Sequence, residues 1–342
     1  MTALTEALMR LAQGEDLTAA DMKAALAVVM SGAGTPAQIG GFLMALRLKG
    51  ETVDEIVAAA EVLRALATPV VVADRDHLID TCGTGGDGMS TFNISTATAL
   101  VCAGAGARVA KHGNRSVSSR SGSADVLEAA GVALDLSPAQ VGRCIDTVGI
   151  GFLFAPRHHE AMRHAAGPRR ELHVRTLFNL LGPLTNPART PRQLVGVYSA
   201  ALLETFARAL QALGSVHSLV VHSEDGLDEI SPAAPTEVCE MRHGVITRYR
   251  IAPADFGLAR GDLQDLKVAD ATESLAILDA VLTGREQGPA MTAVVLNAGA
   301  ALYVAGLAAD LKEGVNRARR VLSEGQGRVK LSELAAFTRG LS

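Results

Sequence analysis

The chain has no excess of positive charge, no closely paired cysteines and no long apolar run, and each absence removes a class of protein. Lys and Arg number 32 against 36 Asp and Glu, a formal net charge of −4. Nothing global therefore attracts nucleic acid or an anionic membrane, and a phosphate site must be a local basic pocket. The four cysteines, Cys82, Cys102, Cys144 and Cys239, lie far apart without a C-x-x-C pair. That fits reduced cytosolic thiols better than a disulfide framework or a zinc site. No segment reaches the ~18 uninterrupted apolar residues of a membrane span, and residues 1–14 lack a basic stretch followed by a long apolar run. The expectation is a cytoplasmic protein without a signal. Repeats, low-complexity tracts and long linkers are also missing.

What is present begins with size. At 342 residues, 48% apolar and 20% charged, the chain can bury a large core, and at about 150 residues per domain two domains are expected. The first third reads as helix. Thr18 precedes Met22, Ala25, Leu26 and Val29 at helical spacing, and Thr35-Pro36 opens a second helix with Ile39, Phe42, Leu43 and Leu46 on one face. Thr52 and Glu55 form a capping box for a third helix running to about Leu66, ahead of Pro69. Residues 1–68 therefore read as a helical domain. From His77 short strands alternate with helices, at 78–80, 109–111, 132–134, 151–155, 194–198 and 219–222, which implies a mostly parallel sheet covered by helices over 69–342. A hairpin at 237–241 and 245–251, helices at 273–282 and 290–306, and an amphipathic tail at 311–339 follow. The tail's Arg317, Arg319 and Arg320 read as a solvated face.

Chemistry concentrates in four loops. Asp80-Thr81-Cys82-Gly83-Thr84-Gly85-Gly86-Asp87-Gly88 packs four glycines into six residues and closes on Asn93-Ile94-Ser95-Thr96. Glycine lets successive N–H groups converge on an anion, and a helix starting at Ile94 would add its own free N–H groups, so the run reads as a phosphate or pyrophosphate cradle. A plain strand-to-helix turn is the alternative, but Asp87 and the hydroxyls of Thr84, Ser90, Thr91, Ser95 and Thr96 exceed what a turn needs. The glycine spacing fits neither the Walker nor the dinucleotide pattern, which disfavours a nucleotide triphosphatase or a nicotinamide enzyme.

Lys111-His112-Gly113-Asn114-Arg115-Ser116-Val117-Ser118-Ser119 follows a predicted strand and suits a phosphate clamp, because charge-assisted hydrogen bonds contribute roughly 1.5–3 kcal/mol each. A lone His112 is more often structural than catalytic. Ser123 reads as an N-cap for the next helix, with a ligand role as the alternative. Arg169 and Arg170 offer a fork to a carboxylate, or else surface ion pairs with Glu171. Asp228 and Glu229 follow a strand end, where a hard divalent ion could bridge them to phosphate; a solvated acidic turn is the alternative.

In chain order, G-T-G-G-D-G with N-I-S-T, K-H-G-N-R, S-G-S-A-D-V-L-E-A, R-R-E-L-x-x-R-T-x-F-N-x-L-G-P-L-T-N-P and G-L-D-E resemble the anthranilate phosphoribosyltransferase family over nearly the whole chain. The resemblance implies a small helical domain joined to an α/β domain of nucleoside phosphorylase type. It also implies a helical insertion near 160–190 packed on the helical domain, a homodimer formed through the helical domains, and a step of tryptophan biosynthesis. It implies that Gly83, Gly86, Asp87, Thr91, Asn93, Ser95, Thr96, Lys111, His112, Gly113, Asn114, Arg115, Ser116, Val117, Ser118, Ser119 and Ser123 bind phosphoribosyl pyrophosphate. Gly83, Asn114 and Arg169 would meet anthranilate, and Ser95, Asp228 and Glu229 would hold Mg2+.

No covalent nucleophile is expected, since positioning and electrostatics suffice for this transfer. The family pattern has glycine at His173, commonly valine at Pro168, commonly proline at Glu160, and glycine at Ser223. Pro168 is expected to bias Gly167 away from helix just before Arg169. Two rivals share features: a pyrimidine nucleoside phosphorylase, which should carry an S-T-G-G-V-G-D type loop, and a non-enzymatic nucleic-acid-binding relative, which should show a broad basic surface.

Overall fold

The computed structural model describes residues 1–116 and 120–341. Val117, Ser118 and Ser119 of the expected clamp lie outside the described residues. Four helices come first: α1 (Ala3–Leu11), α2 (Ala19–Met30), α3 (Pro36–Lys49) and α4 (Val53–Leu66). Their starts obey local chemistry, since the hydroxyls of Thr18, Thr35 and Thr52 accept from the N–H groups of Asp21, Gln38 and Glu55. Glu55 also turns inward, where its buried carboxylate accepts from Leu17 N–H at 2.9 Å and from Lys49 Nζ at 2.9 Å.

The α/β part follows as β1 (Leu78–Gly83), α5 (Ile94–Gly104), β2 (Arg108–Gly113), α6 (Ser123–Ala129), α7 (Pro138–Val148) and β3 (Ile150–Phe154). It continues through α8 (Ala155–His158), α9 (Arg163–Leu172), α10 (Leu177–Leu181), β4 (Arg192–Gly196), α11 (Leu203–Ala212), β5 (His217–Ser223), β6 (Thr236–Arg242) and β7 (Val245–Ile251). It closes with α12 (Ala271–Leu282), α13 (Pro289–Val304), α14 (Leu311–Ser323) and α15 (Gln326–Arg339). The seven strands form one sheet in the order β3-β2-β1-β4-β5-β6-β7, parallel from β3 to β5 and antiparallel beyond.

Strand alternation sorts side chains between two cores. Leu194, Leu219, Val221 and Val238 join the core beneath α5 and α13, whereas Val195, Val220 and Cys239 face the core shared with α1–α4 and α9–α11. The helical N-terminal domain thus rests on the α/β domain through α9, α10 and α11. All four cysteines are free and buried. Among the described residues no helix is long and apolar enough to cross a membrane.

Five sequence expectations need correction. Residues 132–134 are not a strand: Val132 and Leu134 are buried, but the Val132 N–H goes to Leu127 O at 3.0 Å and that of Ala133 to Thr338 Oγ1 at 3.0 Å. Ser123 is not the cap of α6; Gly122 holds that place, and Ser123 is the first helical residue. Pro168 does not interrupt the chain before Arg169, because it sits inside α9. The tail is two helices, broken where Gly325 takes φ +67°. Its Arg317 is not merely solvated, since it donates to Leu307 O and Ala105 O, each at 2.7 Å.

Candidate active site

The sheet order reverses direction at β1: β2 and β3 lie on one side, β4 and β5 on the other. Open α/β sheets bind ligands outside the carboxyl ends of their strands at such a switch point. The glycine loop leaves β1 there, the clamp leaves β2, and Asp228 and Glu229 follow β5.

The glycine loop has the backbone of an anion nest. Gly85, Gly86 and Gly88 take φ of +66°, +77° and +78°, and a side chain in that region is strained. Asp87 keeps its Oδ1 on the Met89 N–H at 3.1 Å. Beyond it, α5 begins at Ile94 with no side-chain cap. The Ile94 N–H goes to Phe92 O at 2.8 Å, that of Thr96 to Asn93 O at 3.1 Å, and the Ser95 N–H is turned to Glu229. Asn93 is fixed from elsewhere: its Oδ1 accepts from the hydroxyls of Ser121 and Ser274, both at 2.7 Å. Thr96 Oγ1 is buried without a protein partner. Thr91 pairs with Lys267 in an isolated bridge.

The acids meet the loop directly. Asp228 Oδ2 accepts from the Gly85 N–H at 2.9 Å, and a Cβ at Gly83 would lie 2.6 Å from the same oxygen. Both carboxylates are 9% exposed, so they are not a solvated turn. Burial, then the neighbouring Asp87, pushes Asp228 up to about 7; burial, then Asp228, pushes Glu229 well above the usual carboxylate range. Lys111 lies behind them, its Nζ on Thr81 O at 2.7 Å and on Ser95 Oγ at 3.2 Å. Burial lowers its pKa, against the pull of Asp80.

A buried cluster of like charge with oxygen donors calls for a cation. Among the described residues no three His, Cys, Asp or Glu side chains close into a metal cage. Two carboxylates and a hydroxyl therefore suit a hard ion that completes its shell with water and phosphate, as Mg2+ does.

The second loop behaves less uniformly. Arg115 turns away from the cradle to α6, with Nη2 on Glu128 Oε1 at 2.9 Å and Nη1 on Asp125 Oδ1 at 3.2 Å. The Ser116 N–H also goes to Asp125, at 2.9 Å. Asn114 is exposed, its carbonyl receiving Ser123 Oγ at 3.4 Å. Gly113 is forced by space, since a Cβ would sit 2.2 Å from Ser123 Oγ. Arg169, in the last turn of α9, is half-buried over the Phe178 ring, 5.1 Å from its centroid. Burial lowers its pKa. Its neighbour Arg170 is exposed.

His112 is structural in character. Its Nδ1 faces Gly182 O at 3.2 Å, its ring lies 5.1 Å from that of His159, and its Nε2 has no partner. Burial, then His159, depresses its pKa to about 3. The folded protein therefore leaves His112 neutral while an unfolded chain protonates it near 6.5. The stability this contributes is whole above pH 6.5 and is lost as pH falls toward 3. Asp80, pushed up to about 6 by burial, acts in the opposite sense between about pH 4 and 6, so the test is a difference between proteins. His112→Asn keeps a donor for Gly182, and its unfolding free energy should fall less steeply between pH 6 and 4 than wild type, by about 1.4 kcal/mol per pH unit. Equal slopes in urea titrations would show that His112 titrates normally.

Sequence reasoning gave no role to three groups that hold the site. Asp80 accepts from Asn186 Nδ2 at 2.8 Å and from the His112 N–H at 3.2 Å, joining β1, β2 and the Thr-Asn-Pro turn. The Tyr198 N–H donates to Thr84 Oγ1 at 3.1 Å. Arg175 stacks on the Tyr198 ring, 4.0 Å from its centroid. Only Arg175 and Asn186 carried a signal, lying within the run of shared motifs; Asp80 and Tyr198 lie outside it.

The chain matches the family described as "Glycosyl transferase family, a/b domain" over residues 75–328 and "Glycosyl transferase family, helical bundle domain" over residues 5–67. It is 59% identical to the anthranilate phosphoribosyltransferase of Thioalkalivibrio sulfidiphilus over 335 residues, 98% of each chain. It is 58% identical to that of Methylococcus capsulatus over 336 residues, again 98% of each. Among solved structures, the Thermus thermophilus enzyme superposes with a TM-score of 0.93 at 44% identity, covering 99% of this chain and 100% of the other. The Saccharomyces cerevisiae enzyme in complex with PRPP and Mg gives 0.90 at 27% identity, covering 99% and 98%.

Proposed function

The chain belongs to the anthranilate phosphoribosyltransferase family, and on that premise we propose that it transfers the phosphoribosyl group of phosphoribosyl pyrophosphate to the amine of anthranilate. The observation that carries this reading is the contact of Asp228 with the glycine loop, where the Gly85 N–H meets Oδ2 at 2.9 Å. It joins an anion nest and a pair of buried acids in one crevice.

The amine nitrogen bonds to the anomeric carbon as the bond from that carbon to the pyrophosphate oxygen breaks, with inversion. One proton leaves the nitrogen, and the products are N-(5-phosphoribosyl)anthranilate and pyrophosphate. Mg2+, held by Asp228, Glu229 and Ser95, would neutralise charge on the leaving group. The glycine-loop N–H groups receive the developing negative charge, and Lys111 fixes the Ser95 hydroxyl. We assign the phosphoribosyl donor to Gly83, Gly86, Asp87, Thr91, Asn93, Ser95, Thr96, Lys111, Gly113, Asn114, residues 116–119 and Ser123, with Lys111 and Asn93 acting through the groups they hold. Arg115, paired with α6, and His112, buried against Gly182, support the loop from behind. Anthranilate is assigned to Gly83, Asn114 and Arg169, the last through its carboxylate. The same reading makes the helical domain the dimer surface and the cytoplasm the compartment.

Mixing the protein with anthranilate, phosphoribosyl pyrophosphate and Mg2+ should extinguish anthranilate fluorescence and release one pyrophosphate per anthranilate consumed. Arg169→Gln should raise KM for anthranilate about tenfold or more, the loss of one charge-assisted contact, with KM for the donor little changed. No fluorescence loss from a folded wild-type protein would rule the activity out.

A further inference from the structure

Arg175 is a cation without an anionic partner among the described residues, and it stands beside the glycine loop. The chain reaches it from two fixed points. His173 ends α9 in the left-handed region, at φ +51°, and Thr176 begins α10, its N–H on Asn179 Oδ1 at 2.9 Å. Between them the Arg175 side chain leaves toward the cradle. Its guanidinium lies over the Tyr198 ring, Cζ 4.0 Å from the centroid. Tyr198 is itself tied to the loop, through its N–H on Thr84 Oγ1. A Cβ at Gly86 would lie 3.2 Å from both Nε and Nη2 of Arg175. The Nε–Nη2 edge, the one that forms paired bonds to phosphate oxygens, is thus turned to the nest.

Resting on the reading of this crevice as the phosphoribosyl donor site, we propose that Arg175 binds the donor's pyrophosphate group. Two observations separate this role from recognition of the acceptor. Arg175 stands beside the positive-φ glycine Gly86, whose backbone suits phosphate oxygens, and Arg169, the arginine assigned to the acceptor, sits on a different ring, Phe178. Stacking on Tyr198 fixes the guanidinium before the ligand arrives, which reduces the ordering entropy lost on binding. Gly86 is then favoured for its φ of +77°, and a side chain there would also crowd the guanidinium edge.

Arg175→Gln, Arg175→Lys and wild type should be compared by steady-state kinetics in both substrates and by calorimetric titration with inorganic pyrophosphate and Mg2+. Arg175→Gln should raise KM for phosphoribosyl pyrophosphate tenfold or more and weaken pyrophosphate binding by a similar factor, while KM for anthranilate stays within twofold. Arg175→Lys, which keeps the charge and loses the fork, should fall between. Should the glutamine variant fail to fold, the lysine variant carries the same comparison. Unchanged donor KM and unchanged pyrophosphate affinity in active variants, or a rise confined to KM for anthranilate, would overturn the assignment. An inactive but folded wild type would instead strike the reading of the site.

Discussion

Replacing Asp228 and Glu229 together with alanine is expected to lower kcat by about a thousandfold or more, the several kcal/mol that metal-assisted charge stabilisation supplies. The same substitution should leave the metal-free protein as stable as wild type or more so. Both acids are buried, burial raises the pKa of each, with Asp87 adding to that of Asp228 and Asp228 to that of Glu229, and holding them ionised works against folding above the ordinary carboxylate range. Activity and stability therefore move in opposite directions, as expected of residues kept for chemistry rather than for packing. Thermal melts in chelator, with and without added Mg2+, give the second half of the test: Mg2+ should raise the wild-type midpoint and leave that of the double variant unmoved. A double variant with near-normal Mg2+-dependent turnover would remove the acids from the mechanism.

The second large effect belongs to a glycine with no catalytic atom. A Cβ at Gly196, the last residue of β4, would lie 1.5 Å from the backbone oxygen of Asp228. Backbone cannot rotate away, so Gly196→Ala must push β4 and the acidic loop apart, in a strand that pairs with both β1 and β5. Overpacking of this kind costs about 3 kcal/mol or more. We expect a lower urea midpoint together with lost activity. Gly83→Ala should separate these effects. Its Cβ would meet the Asp228 side chain, at 2.6 Å from Oδ2, and a side chain can turn aside. That variant should keep most of its stability and lose turnover, because the displaced carboxylate is the one assigned to the metal. Equal stability losses in the two variants would contradict this division between backbone and side-chain contact.

Local signals in the sequence were reliable where local physics decides. The hydroxyls of Thr18, Thr35 and Thr52 begin helices in the structure, and His243-Gly244 turns the hairpin between β6 and β7. The failures lie where distant partners decide. Residues 132–134 alternate like a strand, yet a hydroxyl from α15, Thr338, takes the Ala133 N–H. Pro168 looked like a break, but α9 carries it without one. His173 stands where the family pattern has glycine, and its φ of +51° shows that the position still needs the left-handed conformation glycine adopts freely.

At the site, sequence reasoning placed the glycine loop, the Lys111 loop and the acids after strand ends, where the fold has them, but could not see the direction of long side chains. Arg115 reads as a phosphate clamp and instead pairs with α6. Lys111 reads as part of the phosphate clamp, but β2 holds it inside, behind Ser95. Arg175 was one letter in a motif, and its position over Tyr198 depends on two helix ends that only the fold brings together.

The measurement that bears most directly on this account is the anomalous signal of Mn2+, substituted for Mg2+, in crystals grown with phosphoribosyl pyrophosphate. A peak about 2.2 Å from carboxylate oxygens of Asp228 and Glu229, with pyrophosphate oxygens against the N–H groups of the glycine loop, is the expected result. A metal and pyrophosphate bound elsewhere, with Asp228 and Glu229 unliganded, would contradict the account.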